Sequence, residues 1–283
     1  MTNRHRVRKT ASRVTLQALA FMGAVIVVLP ILWMISTSFK DTGAMFAVPP
    51  QWIPKEPTLQ SYRTILSADN PFLIWFRNSI IVGLATSAGS LLLAVPAGYA
   101  FSRFRFRGSN SILLFIVTSQ MFPIVLLLIS IYLMFNGLGL LNTLYGLALA
   151  YMSFSLPFAI WMLKNYFDTI PSELEEAALI DGCGRLGAMT RVALPLIGPA
   201  TVSVGIFCFL VAWNELLFAM TLNTSDAVRP LAPGLIIRYA GQYQSLYNEM
   251  MAASFFASIP VIIVFVVLQR YVVAGLTLGA VKG

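Results

Sequence analysis

Residues 169–195 read TIPSELEEAALIDGCGRLGAMTRVALP, and we call this stretch the acidic loop. Five of the chain's eleven acidic residues lie in it or directly before it: Asp168, Glu173, Glu175, Glu176 and Asp181. Long apolar runs flank it on both sides, in a chain that is 58% hydrophobic and only 11% charged. A polar element of this kind between apolar segments indicates a compact surface for binding another protein.

The acidic loop has the start and stop patterns of a short helix. Ser172, followed three residues later by Glu175, predicts a capping box, in which each of the two side chains bonds a backbone N–H at the helix start. Gly182 predicts the helix end, because glycine takes the left-handed conformation of a C-terminal cap. A second short helix, residues 185–194, is expected to end at Pro195, so the loop should form a helix–turn–helix.

The rest of the chain has the composition of a membrane protein. A soluble domain carries about 25% charged residues, more than twice the fraction found here. Six apolar runs are long enough to cross a bilayer, which takes about 20 helical residues each. We therefore predict an all-α polytopic membrane protein that forms a single transmembrane domain over residues 1–283. The six predicted spans are residues 14–36, 72–99, 111–135, 143–163, 196–222 and 251–268.

The lysines and arginines predict the orientation of these spans. With the N-terminus inside, thirteen of the 19 basic residues fall on the cytoplasmic side and six outside. Three of the inner ones, Arg103, Arg105 and Arg107, directly follow the second span. The positive-inside rule then places both termini and the acidic loop in the cytoplasm. The net charge of +8 is explained by this orientation, and no nucleic-acid partner is expected.

Neither catalytic nor metal-binding patterns are found in the sequence. The single histidine, His5, lies in the basic N-terminal segment, and a Walker A motif is absent. Gly182, Gly184 and Gly187 have the G-x-G-x-x-G spacing, but a helix rather than a strand is predicted before them, so a dinucleotide site is not indicated. We expect this chain to be no enzyme and to bind no cofactor or metal.

Two motifs in and near the acidic loop carry a family resemblance. EAALIDG at residues 176–182, then nine residues, then VALP at 192–195 resembles the EAA loop of binding-protein-dependent ABC importers, with Val192 in place of isoleucine. WNE at residues 213–215 and the ending AGLTLGAVKG at 274–283 are similar to permeases of the carbohydrate-uptake branch, of the maltose-transporter type. The resemblance extends over essentially the whole chain.

The resemblance implies a type I importer permease that works in a larger complex. Its partners would be a second homologous permease, two ATP-binding subunits that hold ATP and magnesium, and an extracytoplasmic solute-binding protein that delivers a sugar. The acidic loop would be the element that couples to an ATPase subunit. The residues assigned to this coupling are Glu175, Glu176, Ala177, Ala178, Asp181, Gly182, Leu194 and Pro195.

Few polar residues lie inside the predicted spans, and these are the candidates for the translocation path. Glu215 is an acidic residue well inside a span, about 10 Å from the outer end of the fifth helix at 1.5 Å per residue. Such a carboxylate usually faces a bundle interior or a water-filled path. The remaining candidates are Gln120, Ser153, Trp213 and Asn214. For Gln120 and Ser153, hydrogen bonding between helices is the alternative explanation.

The sequence leaves two alternatives open. The solute could be a polyol, a glycerophosphate or another sugar derivative. The chain could also be a secondary transporter, although such proteins have internal repeats and paired ion-coupling residues.

Overall fold

The computed structural model describes residues 2–239 and 246–280, and the side chains of residues 13, 15–239 and 246–266. Its α-helices are α1 Thr2–Ser38, α2 Gln60–Ile65, α3 Phe72–Arg103, α4 Ser109–Thr118, α5 Leu128–Gly137, α6 Leu144–Phe167, α7 Glu173–Ile180, α8 Arg185–Ala188, α9 Leu194–Leu196, α10 Gly198–Asn214, α11 Leu217–Leu222, α12 Leu231–Tyr239 and α13 Tyr247–Ala280. Three 3₁₀ turns (Ala44–Phe46, Ser119–Met121, Ile124–Leu127) and a π-helical turn (Met189–Ala193) complete them. The described residues contain no β-strand, which confirms the all-α class.

Among the described residues, four helical segments are long and apolar enough to cross a membrane: Thr15–Ser38, Phe72–Arg103, Leu144–Phe167 and Tyr247–Val266. Two bent helix pairs raise the number to six if each pair is counted as one span. The last helix continues to Ala280, beyond the predicted end at residue 268. The final three residues of the AGLTLGAVKG ending lie outside the described residues.

The third predicted span, residues 111–135, is interrupted. Its two halves, Ser109–Met121 and Ile124–Gly137, meet at an angle of 92°. Phe122 between them is extended, with φ −74° and ψ 130°. Pro123 explains this conformation, because a proline disfavours the helical conformation of the residue before it and has no N–H to continue the helix.

The fifth predicted span, residues 196–222, is also interrupted. Helix α10 ends at Asn214, and Glu215 is extended, with φ −74° and ψ 131°. The short helix α11 then completes the predicted length. No proline explains this break, and its cause is the side chain of Glu215, described below.

The chain divides into two compact units. The first comprises Met1–Asn70 and Ile237–Phe256, and the second Pro71–Ile236 and Ala257–Gly283. In the first unit, the end of α1 is held against the following loop by an edge-to-face contact of Trp33 with Trp52, whose ring centroids are 4.9 Å apart. Lys40 lies over the Trp33 ring, and its side chain is almost fully buried.

The second unit is organised around α3, α6 and α10. Small residues let these helices approach closely: a Cβ atom added to Gly98 of α3 would lie 3.0 Å from the Leu163 Cβ of α6. A buried hydrogen bond of 2.8 Å joins Ser90 of α3 to Ser155 of α6. Ser87 of α3 donates to the Gly205 carbonyl of α10 over 2.7 Å. This packed set positions both the acidic loop and the interrupted fifth span.

Candidate functional site

The helix of the acidic loop, α7, ends as predicted. Gly182 has φ +88°, the left-handed conformation that favours glycine. The Cys183 N–H donates to the Ala178 carbonyl over 3.0 Å, and the Gly182 N–H donates to the Leu179 carbonyl over 3.1 Å. These two bonds form a Schellman motif, which satisfies carbonyls at the helix end. The prediction of a glycine cap at this position is confirmed.

The predicted capping box is wrong. Ser172 makes no side-chain bond to the helix start. Glu175 points into the protein, where its Oε2 accepts a bond from the Tyr99 hydroxyl over 2.6 Å and its Oε1 accepts one from Arg103 Nε over 2.8 Å. Charge-assisted bonds of this kind are stronger than neutral ones, so the carboxylate turns away from the helix start.

Arg103 connects the end of α3 to the segment between α6 and α7. Its Nη2 donates to the Ile170 carbonyl over 2.9 Å, and its Nη1 donates to Ser102 Oγ over 3.1 Å. Ser102 in turn donates to Asp168 Oδ1 over 2.7 Å, and Asp168 Oδ2 lies 2.5 Å from Lys164 Nζ. We call these residues the Arg103 network: Tyr99, Ser102, Arg103, Lys164, Asp168 and Glu175.

The opposite side of α7 faces outward. Glu176, Ala177 and Asp181 are exposed, whereas Ala178 is buried. Large apolar side chains lie exposed beside these carboxylates, with Ile180 86% and Leu186 71% accessible. The acidic loop therefore presents an apolar surface with negative charges, typical of a protein-binding site.

The second half of the acidic loop differs from the prediction. The helical turns do not end at Pro195 but continue through α9 to Leu196, with Leu194 half-buried and Pro195 exposed. A proline can occupy the first turn of a helical segment because its missing N–H is not needed there. The preceding π turn Met189–Ala193 closes with a bond from the Leu194 N–H to the Met189 carbonyl. Segments Arg185–Leu196 and Gly198–Asn214 meet at 83°, so the loop turns sharply into the fifth span.

Glu215 lies at the interruption of the fifth span and caps α11. Its Oε1 accepts from the Phe218 N–H over 3.0 Å, and its Oε2 accepts from the Ala219 N–H over 3.1 Å. The Tyr151 hydroxyl of α6 donates to Oε2 over 2.8 Å. A carboxylate is favoured at a helix N-terminus, where unpaired N–H groups point outward. These bonds explain why the helix breaks here without a proline.

The interruption of the third span contacts α6 close to Tyr151, the residue of α6 that binds Glu215. Gln120 is exposed, and its Nε2 donates to the Phe154 carbonyl over 3.2 Å. Ser153 is exposed on α6 and donates to the Ala150 carbonyl over 2.6 Å. The two broken spans therefore both bind the short stretch of α6 between Tyr151 and Phe154, where Tyr151 contacts Glu215.

The other two predicted path residues are placed differently from each other. Trp213 is buried, stacked on Phe209 at a centroid distance of 5.5 Å and edge-on to Phe76 at 5.9 Å. Asn214 is exposed and donates from Nδ2 to the Leu210 carbonyl over 2.8 Å. Trp213 thus packs within its own chain, whereas Asn214 is exposed directly before the interruption.

Two residues of the site are missed by sequence reasoning. In the sequence, Arg103 is one of three arginines that follow the second predicted span, and Tyr99 is the last residue of that predicted span. Their spacing of four residues places both side chains on one helix face, which is the signal that could have paired them. Among the described residues, no group of three or more His, Cys, Asp or Glu side chains is placed to hold a metal ion.

Comparisons with known proteins show which family this chain resembles. Residues 89–278 match the family described as "Binding-protein-dependent transport system inner membrane component". The diacetylchitobiose uptake system permease protein DasC of Streptomyces coelicolor is 38% identical over 256 residues, which cover 90% of this chain and 92% of that protein. The trehalose/maltose transport system permease protein MalG of Thermococcus litoralis is 33% identical over 265 residues, which cover 93% of this chain and 95% of that protein.

A solved structure is similar over nearly the whole chain. It is the crystal structure of a bacterial ABC transporter involved in the import of the acidic polysaccharide alginate; the matching chain has a TM-score of 0.80 and 25% identity, covering 96% of this chain and 98% of that one. This chain therefore belongs to the family of inner membrane components of binding-protein-dependent transport systems. It is a multi-pass permease of the inner membrane, and the resemblance to permeases of carbohydrate-uptake importers is confirmed.

Proposed function

We propose that this permease forms one half of the translocation path of an ATP-driven sugar importer. A second, homologous permease forms the other half, and an extracytoplasmic binding protein delivers the sugar. Two cytoplasmic subunits bind ATP and magnesium and hydrolyse the ATP, so this chain is not itself the enzyme. The names of the relatives, which include uptake systems for diacetylchitobiose and for trehalose and maltose, support a sugar as solute.

The exposed side of the acidic loop is the observation that carries this proposal. Glu176, Ile180 and Asp181 are exposed, and the opposite side of α7 is anchored to the chain's own α3 through Glu175. An anchored helix with an accessible apolar and acidic face can bind a basic cleft of an ATPase subunit and receive a rigid-body motion from it. Ala177, also exposed, allows the partner backbone to approach.

The level at which the third and fifth spans break is the proposed location of the sugar path. Gln120 and Glu215 bond the stretch of α6 that contains Ser153, and Asn214 directly precedes Glu215. The amide, hydroxyl and carboxylate groups of these four residues can exchange hydrogen bonds with sugar hydroxyls. Irregular backbone at membrane depth is tolerated where it lines a cavity. Trp213 supports this region through its packing on Phe209 and Phe76.

The test of the proposal is ATP-dependent uptake by the purified complex reconstituted in vesicles. A panel of sugars, polyols and glycerophosphates identifies the solute by the stimulation of ATP hydrolysis that depends on the binding protein. We expect uptake to stop on ATP depletion and to survive an uncoupler of the proton-motive force. Uptake with the opposite dependence would identify a secondary transporter instead.

Glu176→Lys tests the role of the acidic loop within that complex. We expect the ATPase subunits to be lost from the purified complex, because a positive charge replaces a carboxylate facing a basic cleft. Glu56→Lys makes the same charge change at an exposed position in the loop after α1 and should leave the complex intact. Full ATPase binding and uptake by the Glu176 variant would remove the acidic loop from the interface.

A further inference from the structure

The two neighbouring glutamates of α7 have opposite environments. Glu176 is exposed, whereas Glu175 is buried and only 5% accessible. Both carboxylate oxygens of Glu175 already have a donor, one from Tyr99 and one from Arg103. Glu175 therefore has little surface with which to meet another protein, although it lies in the segment that resembles a coupling element.

Arg103 uses its guanidinium to bond α3 to two other parts of the chain. Its Nε donates to Glu175 in α7, its Nη2 to the Ile170 carbonyl between α6 and α7, and its Nη1 to Ser102 in α3. The side chains of Arg103 and Glu175 are 14% and 7% accessible. The planar guanidinium fork of arginine suits such multiple bonding, which a lysine cannot reproduce.

The segment that Arg103 bonds is a short connection between two helices. Residues 168–172 connect α6 to α7, and the Asp168 carboxylate is held by Ser102 and Lys164. Without the Arg103 network, α7 would be joined to α6 by this short non-helical segment and by the contacts of its buried face. With the network, α7 is bonded directly to the end of α3, a span of 32 residues.

We propose that Glu175 is a positioning residue that, with Arg103 and Tyr99, bonds α7 to α3 so that the acidic loop and the second span move as one body. This inference rests on the proposed function. Motion imposed on the exposed face of α7 then passes directly to α3, as well as through the chain to α6 and α10. Glu175 works through Arg103 and does not bind the ATPase subunit.

The test compares ATPase binding with transport in the purified complex. Glu175→Gln keeps the side-chain shape but removes the charge, and Arg103→Lys keeps a charge but loses the fork. We expect both variants to retain the ATPase subunits and ATP hydrolysis, while the sugar transported per ATP hydrolysed falls about fivefold or more, in the range of typical coupling between sites. Glu176→Lys should lose the ATPase subunits instead.

Tyr99→Phe keeps the inference testable if the charge variants do not assemble. It removes one hydrogen bond but keeps the ring contacts with Phe104 and Phe167, whose centroids lie 6.1 and 5.4 Å away. We expect a smaller fall in transport per ATP. Ser90→Ala is the matched control, because it removes a buried hydroxyl that bonds α3 to α6 without touching the acidic loop; its ratio should stay at the wild-type value.

Three outcomes would overturn the inference. Loss of the ATPase subunits from Glu175→Gln would make Glu175 a contact residue. An unchanged transport ratio in Glu175→Gln, Arg103→Lys and Tyr99→Phe would show that the network does not transmit motion, and an equal fall in Ser90→Ala would make the effect a general loss of packing. A wild-type complex without ATP-dependent uptake would instead refute the proposed function itself, so the two failures are distinguishable.

Discussion

The Tyr151 hydroxyl of α6 donates a 2.8 Å hydrogen bond to Glu215 Oε2 at the point where the fifth span is interrupted. The same carboxylate accepts the N–H groups of Phe218 and Ala219, so it holds the start of α11 and the middle of α6 together. Glu215 thus has a structural role that is compatible with lining the path, because its side chain remains partly accessible.

Substitutions at this pair separate the two roles. Tyr151→Phe removes one bond to a charged group, a loss of about 1.5–3 kcal/mol of stability. Glu215→Gln should destabilise the complex more, because its amide nitrogen would face an N–H donor. Thermal unfolding of the purified complex ranks the stabilities of the two variants. Asn214→Ala is the control, since the described hydrogen bond of Asn214 stays within its own helix turn. If both variants assemble fully and transport every tested sugar normally, Glu215 neither lines the path nor holds the break.

Glycine is required at position 182 because of the backbone conformation there, and not because a larger side chain would clash with its neighbours. Its φ is +88°, and a Cβ atom added there would meet nothing within 4 Å. Gly182→Ala should therefore cost about 1–2 kcal/mol, the strain of the left-handed conformation, and reorient the second half of the acidic loop. We expect reduced uptake with normal membrane levels.

Gly108→Ala is the matched control for Gly182, because Gly108 has φ +85° and equally open space but precedes α4. It should carry similar strain and leave uptake unchanged. Equal transport in the two variants would mean that the strain at Gly182 does not reach the ATPase interface.

Glycine is required at position 98 because a larger side chain would clash with α6. A Cβ atom added there would lie 3.0 Å from both the Leu163 Cβ and the Lys164 backbone nitrogen, and the latter cannot move aside. Gly98→Ala should separate α3 from α6 and lower stability by about 1–3 kcal/mol, as overpacking does. Gly23→Ala in α1, where nothing lies within 4 Å, should be neutral. Detergent-resistance or thermal-unfolding assays compare the two, and equal stability would contradict the close packing of α3 on α6.

Lys40 gives the protein a predictable pH dependence. Burial lowers the pKa of Lys40 from its usual value of 10.5, because the charged form loses its hydration. Between the lowered pKa and 10.5 the folded state binds fewer protons than the unfolded state, so stability rises as the pH increases through this window. Thermal unfolding measured across this pH range should show the rise in the wild-type protein and lose it in Lys40→Met.

The control for Lys40 is Lys55→Met, in which an exposed lysine of the same loop is replaced. This variant should keep the wild-type pH dependence. A rise that persists in Lys40→Met would assign the effect to another group. A fall in stability with increasing pH would show that the contact of Lys40 Nζ with the Trp33 ring, 4.1 Å from its centroid, outweighs the cost of burial.

The features that could be predicted from the sequence are those that depend on neighbouring residues. Six apolar runs predict a helical membrane protein because each must satisfy its backbone hydrogen bonds internally in lipid. The left-handed cap at Gly182 also followed from the sequence, since its bonds reach only to Leu179 and, through Cys183, to Ala178. The EAALIDG motif could likewise be recognised as a family motif without the fold, because its residues are consecutive in the sequence.

The directions of the carboxylates could not be predicted in this way, because their partners are distant in the sequence. The sequence pairs Glu175 with Ser172, but its partners in the folded chain, Tyr99 and Arg103, precede it by 76 and 72 residues. The break at Glu215 likewise depends in part on Tyr151, 64 residues earlier. A carboxylate takes the strongest donors within reach, and in a low-dielectric interior a guanidinium or phenol brought close by folding competes successfully with a neighbouring backbone N–H.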